Sequence, residues 1–312
     1  MITPKPMRLV FGETLRELGD QFDKMVVLDA DVSSSTQTKV FGDKYPERFY
    51  NFGIAEANMV SAAAGMATCG LIPVASTFAF LITLRAGDPV RSLLAYNRLN
   101  VKLAGGYAGL SDFADGASHQ AVMDLAVMRS MPNMTVLVPS DVETTRGAVK
   151  AMLEYNGPVY LRLSRDNVAS YHNGDEAFTI GKAKVLREGN HVTLTVCGTL
   201  LPFVLDACRE LSLRGIEACV VEHTTLKPFD CVTMIECAKK TGAVVSVEEH
   251  TIIGGLGSAV AECLSEKYPV RLKRVGLDDT FGESGAYNLL LNKYKLTTPH
   301  IIKAVESILQ GA

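Results

Sequence analysis

No run of apolar residues approaches the ~18 that a membrane-spanning helix needs, which argues against a helical membrane protein. The N-terminus, Met1-Ile-Thr-Pro-Lys-Pro-Met-Arg8, lacks the apolar core of a secretory signal, so a cytoplasmic protein is expected. Positive charge is nowhere concentrated. The 31 Lys and Arg form no long cluster and the net charge is −3, so neither nucleic acid nor a membrane surface is an expected partner. There is no CxxC pair. The seven cysteines, at positions 69, 197, 208, 219, 231, 237 and 263, are odd in number, scattered and mostly in apolar surroundings, and are expected to be reduced core thiols rather than disulfides, zinc ligands or nucleophiles. Internal repeats and low-complexity segments are also lacking.

What is present is a rhythm of short β-branched runs and helix-length periodic segments over 312 residues, enough for about two domains. The alternation implies an α/β fold of two domains, each a mainly parallel sheet flanked by helices. In the first half, strands are expected over 26–28, 101–104, 135–138 and 159–163, and helices over 10–23, 55–69, 88–96, 121–129 and 141–156. Ser140-Asp-Val-Glu143 has capping-box spacing and marks a helix start. A polar stretch without periodicity follows, from Asp166 to Gly181. A second series then has strands over 192–197, 218–222, 243–247 and 270–275 and helices over 202–214, 231–240 and 256–268. The expected domains are 1–170 and 185–312, with a linker over 171–184. Glu248-Glu-His-Thr-Ile-Ile-Gly254-Gly-Leu-Gly257-Ser258 has the wrong spacing for a dinucleotide fingerprint and is read as a structural turn packing a subunit interface.

The segment Asn51-Phe-Gly-Ile-Ala-Glu56-Ala-Asn-Met-Val-Ser-Ala-Ala-Ala-Gly65 places one carboxylate at the mouth of an apolar, small-residue helix. Alone, Glu56 would merely complement the helix N-terminus, for about 0.3–1 kcal/mol. Together with companion segments in the same order, however, the segment resembles the cofactor-activating motif of the pyrimidine-binding domain in the transketolase family of thiamine diphosphate enzymes. The resemblance covers nearly the whole chain, its second half being similar to the transketolase C-terminal domain. It implies thiamine diphosphate as cofactor, with Glu56 hydrogen-bonded to the aminopyrimidine and favouring the tautomer that takes the thiazolium proton. Such chemistry suits an acid in a water-poor pocket.

Other site residues are implied one by one. Thr77-Phe78-Ala-Phe80-Leu81-Ile-Thr-Leu84 resembles the segment that walls the aminopyrimidine, with Phe78 as the stacking ring and Leu81 and Leu84 replacing further aromatics. Asp31 resembles an acidic residue on the thiazolium side. Ala114-Asp115-Gly116-Ala117-Ser118-His119-Gln120 resembles the substrate-binding signature. There Asp115 would read a sugar hydroxyl and His119 would contact the donor oxygen, moving a proton near neutral pH. Arg165, Ser35 and Arg8 match positions that hold a sugar phosphate, the last after a one-residue adjustment. One departure stands out. Tyr107 occupies the place of a histidine and so loses the cationic option, which points to a modified acceptor or an unusual donor.

The chain lacks a Gly-Asp-Gly followed some 25–30 residues later by Asn, with which the family's other domain holds a divalent metal and the diphosphate. The resemblance therefore implies half an enzyme. A separate diphosphate-binding subunit, equivalent to the transketolase N-terminal half, would supply the ligands for magnesium or another divalent ion. The implied assembly is a heterotetramer containing a homodimer of this chain, acting on small sugar phosphates. The expected function is transfer of a two-carbon ketol unit from a ketose (phosphate) donor to an aldehyde or aldose acceptor. Alternatives are a deoxyxylulose phosphate synthase-like subunit, a 2-oxo acid dehydrogenase β-like subunit and a non-catalytic regulatory subunit.

Overall fold

A computed structural model describes residues 4–174 and 178–311; residues 175–177 of the expected linker lie outside the described residues, as do 1–3 and 312. Two sheets organise the chain, each flanked by helices, giving the two α/β domains expected. The first has seven strands in the order Thr225–Lys227, Thr135–Leu137, Val159–Arg162, Lys102–Gly106, Ile72–Phe78, Met25–Asp29, Phe49–Asn51. All neighbours are parallel except Thr225–Lys227, which runs antiparallel on the edge. Met25–Asp29 and Lys102–Gly106 are buried at every residue, as a parallel sheet covered on both faces requires. The second sheet has the order Arg271–Leu277, Ala243–Thr251, Val192–Val196, Ala218–Glu222, Lys184–Arg187, with only the last pair antiparallel. Lys184–Arg187 enters from the end of the expected linker, and Thr225–Lys227 crosses from the second series to complete the first sheet.

Several local expectations shift. The first helix spans Met7–Leu18 and stops at Gly19. The helix expected from 88 is one α turn, Gly87–Pro89, followed by wider π-type winding over Val90–Ala95. Ile72–Phe78, a central strand, was not expected. At the Val142–Glu154 helix the cap is Asp141, not Ser140. The Asp141 carboxylate accepts from the Thr144 amide at 2.7 Å and Thr144 returns the bond, while the Ser140 hydroxyl is drawn away to Glu222. The glycine turn at 254–257 also makes close contacts within its own chain. A Cβ on Gly254 would lie 2.5 Å from that of Ala126 in the first domain, and the amides of Leu256 and Gly257 donate to the Glu248 carboxylate.

An ionic latch closes the two domains on each other. His172 Nδ1 lies 2.9 Å from Asp141 and its Nε2 2.8 Å from Glu222, at the end of a second-sheet strand. Burial alone would lower the imidazole pKa, but hydrogen bonds to these two carboxylates outweigh it and raise the value to about 10. A raised folded-state pKa contributes stability in full below the unfolded value of about 6.5 and loses it as pH rises through about 10. His172→Gln is therefore expected to destabilise the protein at pH 6, with a difference from wild type that shrinks steadily towards pH 10, as read by urea denaturation.

Candidate functional site

The expected site residues collect at one edge of the first sheet. Asp31 and Ser35 follow strand Met25–Asp29, Glu56 follows Phe49–Asn51, Phe78 ends Ile72–Phe78, Tyr107 follows Lys102–Gly106, and Arg165 follows Val159–Arg162. These are the carboxyl ends of parallel strands, where open α/β sheets bind ligands. Only Arg8 arrives differently, from the first turn of the Met7–Leu18 helix.

Glu56 opens the Glu56–Thr68 helix, whose buried face of Met59, Val60, Ala63 and Ala64 packs into the core. Its side chain is 2% exposed and Oε2 has no hydrogen-bond partner among the described residues; the Arg85 guanidinium lies 3.9 Å away but is largely in solvent. A buried, unpartnered carboxylate oxygen carries a desolvation cost that a hydrogen-bonding ligand would relieve. Arg85, which the sequence reading passed over, ends a stretch of π-type winding, Leu81–Arg85, that also carries Leu81 and Leu84. Such winding is frequent at functional sites. Leu81 is half-buried and Leu84 is exposed.

A second group forms around Tyr107. Its backbone has φ +60°, an uncommon conformation for a side-chain-bearing residue that points to a functional constraint. Arg8 hydrogen-bonds the Tyr107 hydroxyl and donates to the Ser35 carbonyl at 2.9 Å. The guanidinium carbons of Arg8 and Arg165 lie 5.2 and 5.1 Å from the Tyr107 ring centre. Phe78 packs on the same ring at 4.6 Å and approaches His119 at 6.1 Å, while Phe80 approaches His119 at 5.2 Å. The structure thus joins Arg8, Ser35, Tyr107, Arg165, Phe78 and His119 into one set of contacts. Asp31 instead pairs with Asn51, in a backbone with φ +64°, and Asp115 sits exposed beside Asp112. Arg8 Nε, Thr77 Oγ1, Asp112 Oδ2 and Gln120 Oε1 join Glu56 Oε2 among the buried polar atoms without a partner among the described residues, atoms that a polar ligand within reach would satisfy. No local pattern flagged Asp112 or Phe80, because their importance comes from neighbours distant in sequence.

The second domain holds the loop that carries Asp115 and His119. Buried Glu249 accepts from the Leu110 amide at 2.7 Å and from the Thr199 and Tyr287 hydroxyls at 2.8 Å each, while burial pushes its pKa up. Gln120 donates to the Glu283 carbonyl at 3.0 Å, and Phe113 stacks on Tyr287 at 6.0 Å. Gly116 has φ +75°, and an added Cβ would lie 2.4 Å from Ser284 Oγ. Gly116→Ala is expected to cost about 1–2 kcal/mol from the left-handed backbone alone, displacing the loop that carries Asp115 and His119. Its check is a urea melt beside a substrate-binding titration; wild-type values in both would mean that Ser284 does not brace the loop.

Comparison with known proteins agrees with this architecture. Residues 4–170 match the family model for the transketolase pyrimidine-binding domain and residues 181–301 that for the transketolase C-terminal domain. The chain is 46% identical to a transketolase C-terminal section of Methanocaldococcus jannaschii, covering 96% of this chain and 95% of that one. It is 40% identical to a 6-deoxy-6-sulfo-D-fructose transketolase subunit of Clostridium, covering 97% and 94%. A solved split-gene transketolase, described as an inactive β4 tetramer, superposes with a TM-score of 0.92 at 48% identity over 98% of both chains. Campylobacter jejuni transketolase shares the fold at a TM-score of 0.80 and 21% identity, covering 98% of this chain and 47% of that one. With both of its domains matched in order, the chain belongs to the transketolase family.

Proposed function

We propose that this chain is the pyrimidine-binding subunit of a two-subunit, thiamine diphosphate-dependent transketolase, transferring a two-carbon ketol unit from a ketose (phosphate) donor to an aldehyde or aldose acceptor. The observation that carries the reading is the buried, unpartnered oxygen of Glu56 at the start of its helix. When bound, thiamine diphosphate supplies the carbon nucleophile and the electron sink for C–C cleavage. Glu56 fits its aminopyrimidine as a hydrogen-bonding partner in a dry site, where it would hold a proton against the ring nitrogen. Phe78, Leu81 and Leu84 would offer apolar walls to a flat ring, and Asp31 would lie towards the thiazolium side. His119 would hold or deliver a proton at the donor oxygen, and Asp115 would read a hydroxyl. Arg8, Arg165, Ser35 and Tyr107 would seat the charged end of the sugar.

A separate diphosphate-binding subunit would contribute the divalent-metal ligands, in a cytoplasmic heterotetramer containing two copies of this chain. The split-gene relative described as an inactive β4 tetramer supports a requirement for a second kind of subunit. The test is ketol transfer by this chain co-expressed with a diphosphate-binding subunit, with thiamine diphosphate and magnesium, across ketose donors and with pyruvate. Transfer from a ketose without pyruvate decarboxylation supports the reading. Pyruvate decarboxylation would favour the deoxyxylulose phosphate synthase-like alternative, which a 36%-identical synthase of Desulforudis audaxviator keeps in view.

A further inference from the structure

The geometry around Arg165 points to a residue that selects substrates by charge. We propose that Asp112 is a specificity-determining residue of the Arg8–Arg165 pocket, tuning it to a sugar whose far end carries a single negative charge rather than a dianionic phosphate. This inference rests on the ketol-transfer reading above and deepens it.

Arg165 is the cation on which a terminal phosphate would chiefly depend, yet its guanidinium already donates to Asp112 Oδ1 at 3.2 Å. Asp112 is not a mobile surface acid. It is fully buried, its carbonyl accepts from the Gly116 amide at 3.1 Å, and the neighbouring Ser111 hydroxyl accepts from the Arg165 amide at 3.1 Å. The backbone at both ends of the ion pair is therefore anchored, which keeps the buried carboxylate beside Arg165.

Charge balance follows from these contacts. Arg8 and Arg165 bring two positive charges to Tyr107, and above about pH 7, where Asp112 is ionised, its carboxylate cancels one of them at the contact with Arg165. Tyr107 adds none, in the position where the family resemblance led us to expect a histidine able to carry charge. Above that pH a phosphate monoester carries close to two negative charges, more than one net positive charge can balance, whereas a sulfonate carries one. Asp112 Oδ2 strengthens the effect. It is buried without a donor, and would repel a second anionic oxygen while accepting from a hydroxyl. The groups facing Asp112 are Asp115 and Arg165. Burial first, and Asp115 next, lift its pKa to about 7 against the pull of Arg165, so the carboxylate is held at an energetic cost that a purely structural partner for Arg165 would not need.

The experiment compares wild type and Asp112→Asn in the assembled two-subunit enzyme at pH 8, using a ketohexose 6-phosphate and the corresponding 6-sulfonate. Both kcat/KM for transfer and the dissociation constant by calorimetry are measured for each sugar. Wild type is expected to favour the sulfonate, and Asp112→Asn to shift the phosphate-to-sulfonate ratio towards phosphate by about tenfold, a change of one charge at close range. Either a wild-type preference for phosphate or an unchanged ratio in the variant would overturn the proposal. Calorimetry separates the two readings: a shifted binding ratio without ketol transfer would sustain Asp112 and sink the transketolase activity, whereas transfer with an unshifted ratio would do the reverse. If the variant fails to assemble, the wild-type preference decides alone, phosphate over sulfonate counting against the proposal.

Discussion

Ketol transfer by the assembled enzyme is expected to fall at least about a hundredfold when Glu56 is replaced by Gln, the lower end of what a positioned acid–base group contributes, with no loss of thermal stability. Glutamine keeps the size of the side chain and much of its hydrogen bonding but cannot take up or release a proton. Stability should hold because the native carboxylate is poorly compensated. One oxygen has no hydrogen-bond partner, and Arg85, 3.9 Å away, has a largely solvent-exposed side chain that screens the attraction. Removing a buried charge in that setting relieves desolvation. Steady-state transfer and a thermal melt on the same preparation check both halves. A lowered melting temperature with activity falling only in proportion would return Glu56 to complementing the charge of the helix N-terminus, where its value is about 0.3–1 kcal/mol.

Asp124→Ala is expected to be the most damaging change to stability, at about 3–5 kcal/mol, the cost of stranding a buried charge. Arg162 reaches Asp124 through Nε at 2.8 Å and through a second nitrogen at 3.1 Å, and the Tyr160 hydroxyl donates to the same carboxylate at 2.7 Å. The guanidinium also donates to the Glu249 carbonyl at 3.0 Å, so it joins the first sheet to the second. Burial alone would raise the Asp124 pKa; Arg162 reverses this and holds the carboxyl below its ordinary value. A depressed pKa gives stability that is present above about 3.8, the unfolded value, and lost as pH falls. Urea denaturation at pH 7 and in acid should therefore show the gap between wild type and variant closing on acidification. An equal gap at both pH values would mean that the carboxylate acts through packing alone.

The two-domain α/β architecture was legible because β-branched runs and periodic helices alternate plainly. The central strand Ile72–Phe78 was not: Pro73 argues against an interior strand, and the structure accommodates it only one residue from the strand's start. Lys184–Arg187 was hidden in the polar connector, and Thr225–Lys227 pairs outside its own series. Glu56, Asp115 and His119 could be singled out as candidates because each sits in a compact motif. The Arg8–Tyr107 hydrogen bond spans 99 positions and the Glu249–Leu110 bond spans 139, distances at which no local pattern operates. For the same reason the sequence suggested no task for the second domain beyond assembly. The structure supplies one, since Glu249, Glu283 and Ser284 together hold the loop carrying Asp115 and His119.

The central claim, that this chain is one half of a two-subunit transketolase, is tested most directly by titrating it with purified diphosphate-binding subunit and following ketol transfer in the presence of thiamine diphosphate and magnesium. Activity absent from either subunit alone, rising with added partner and saturating at one partner per chain, is the predicted result. Full activity from this chain alone, or a one-to-one complex that binds the cofactor yet transfers no ketol unit from any ketose, would contradict it.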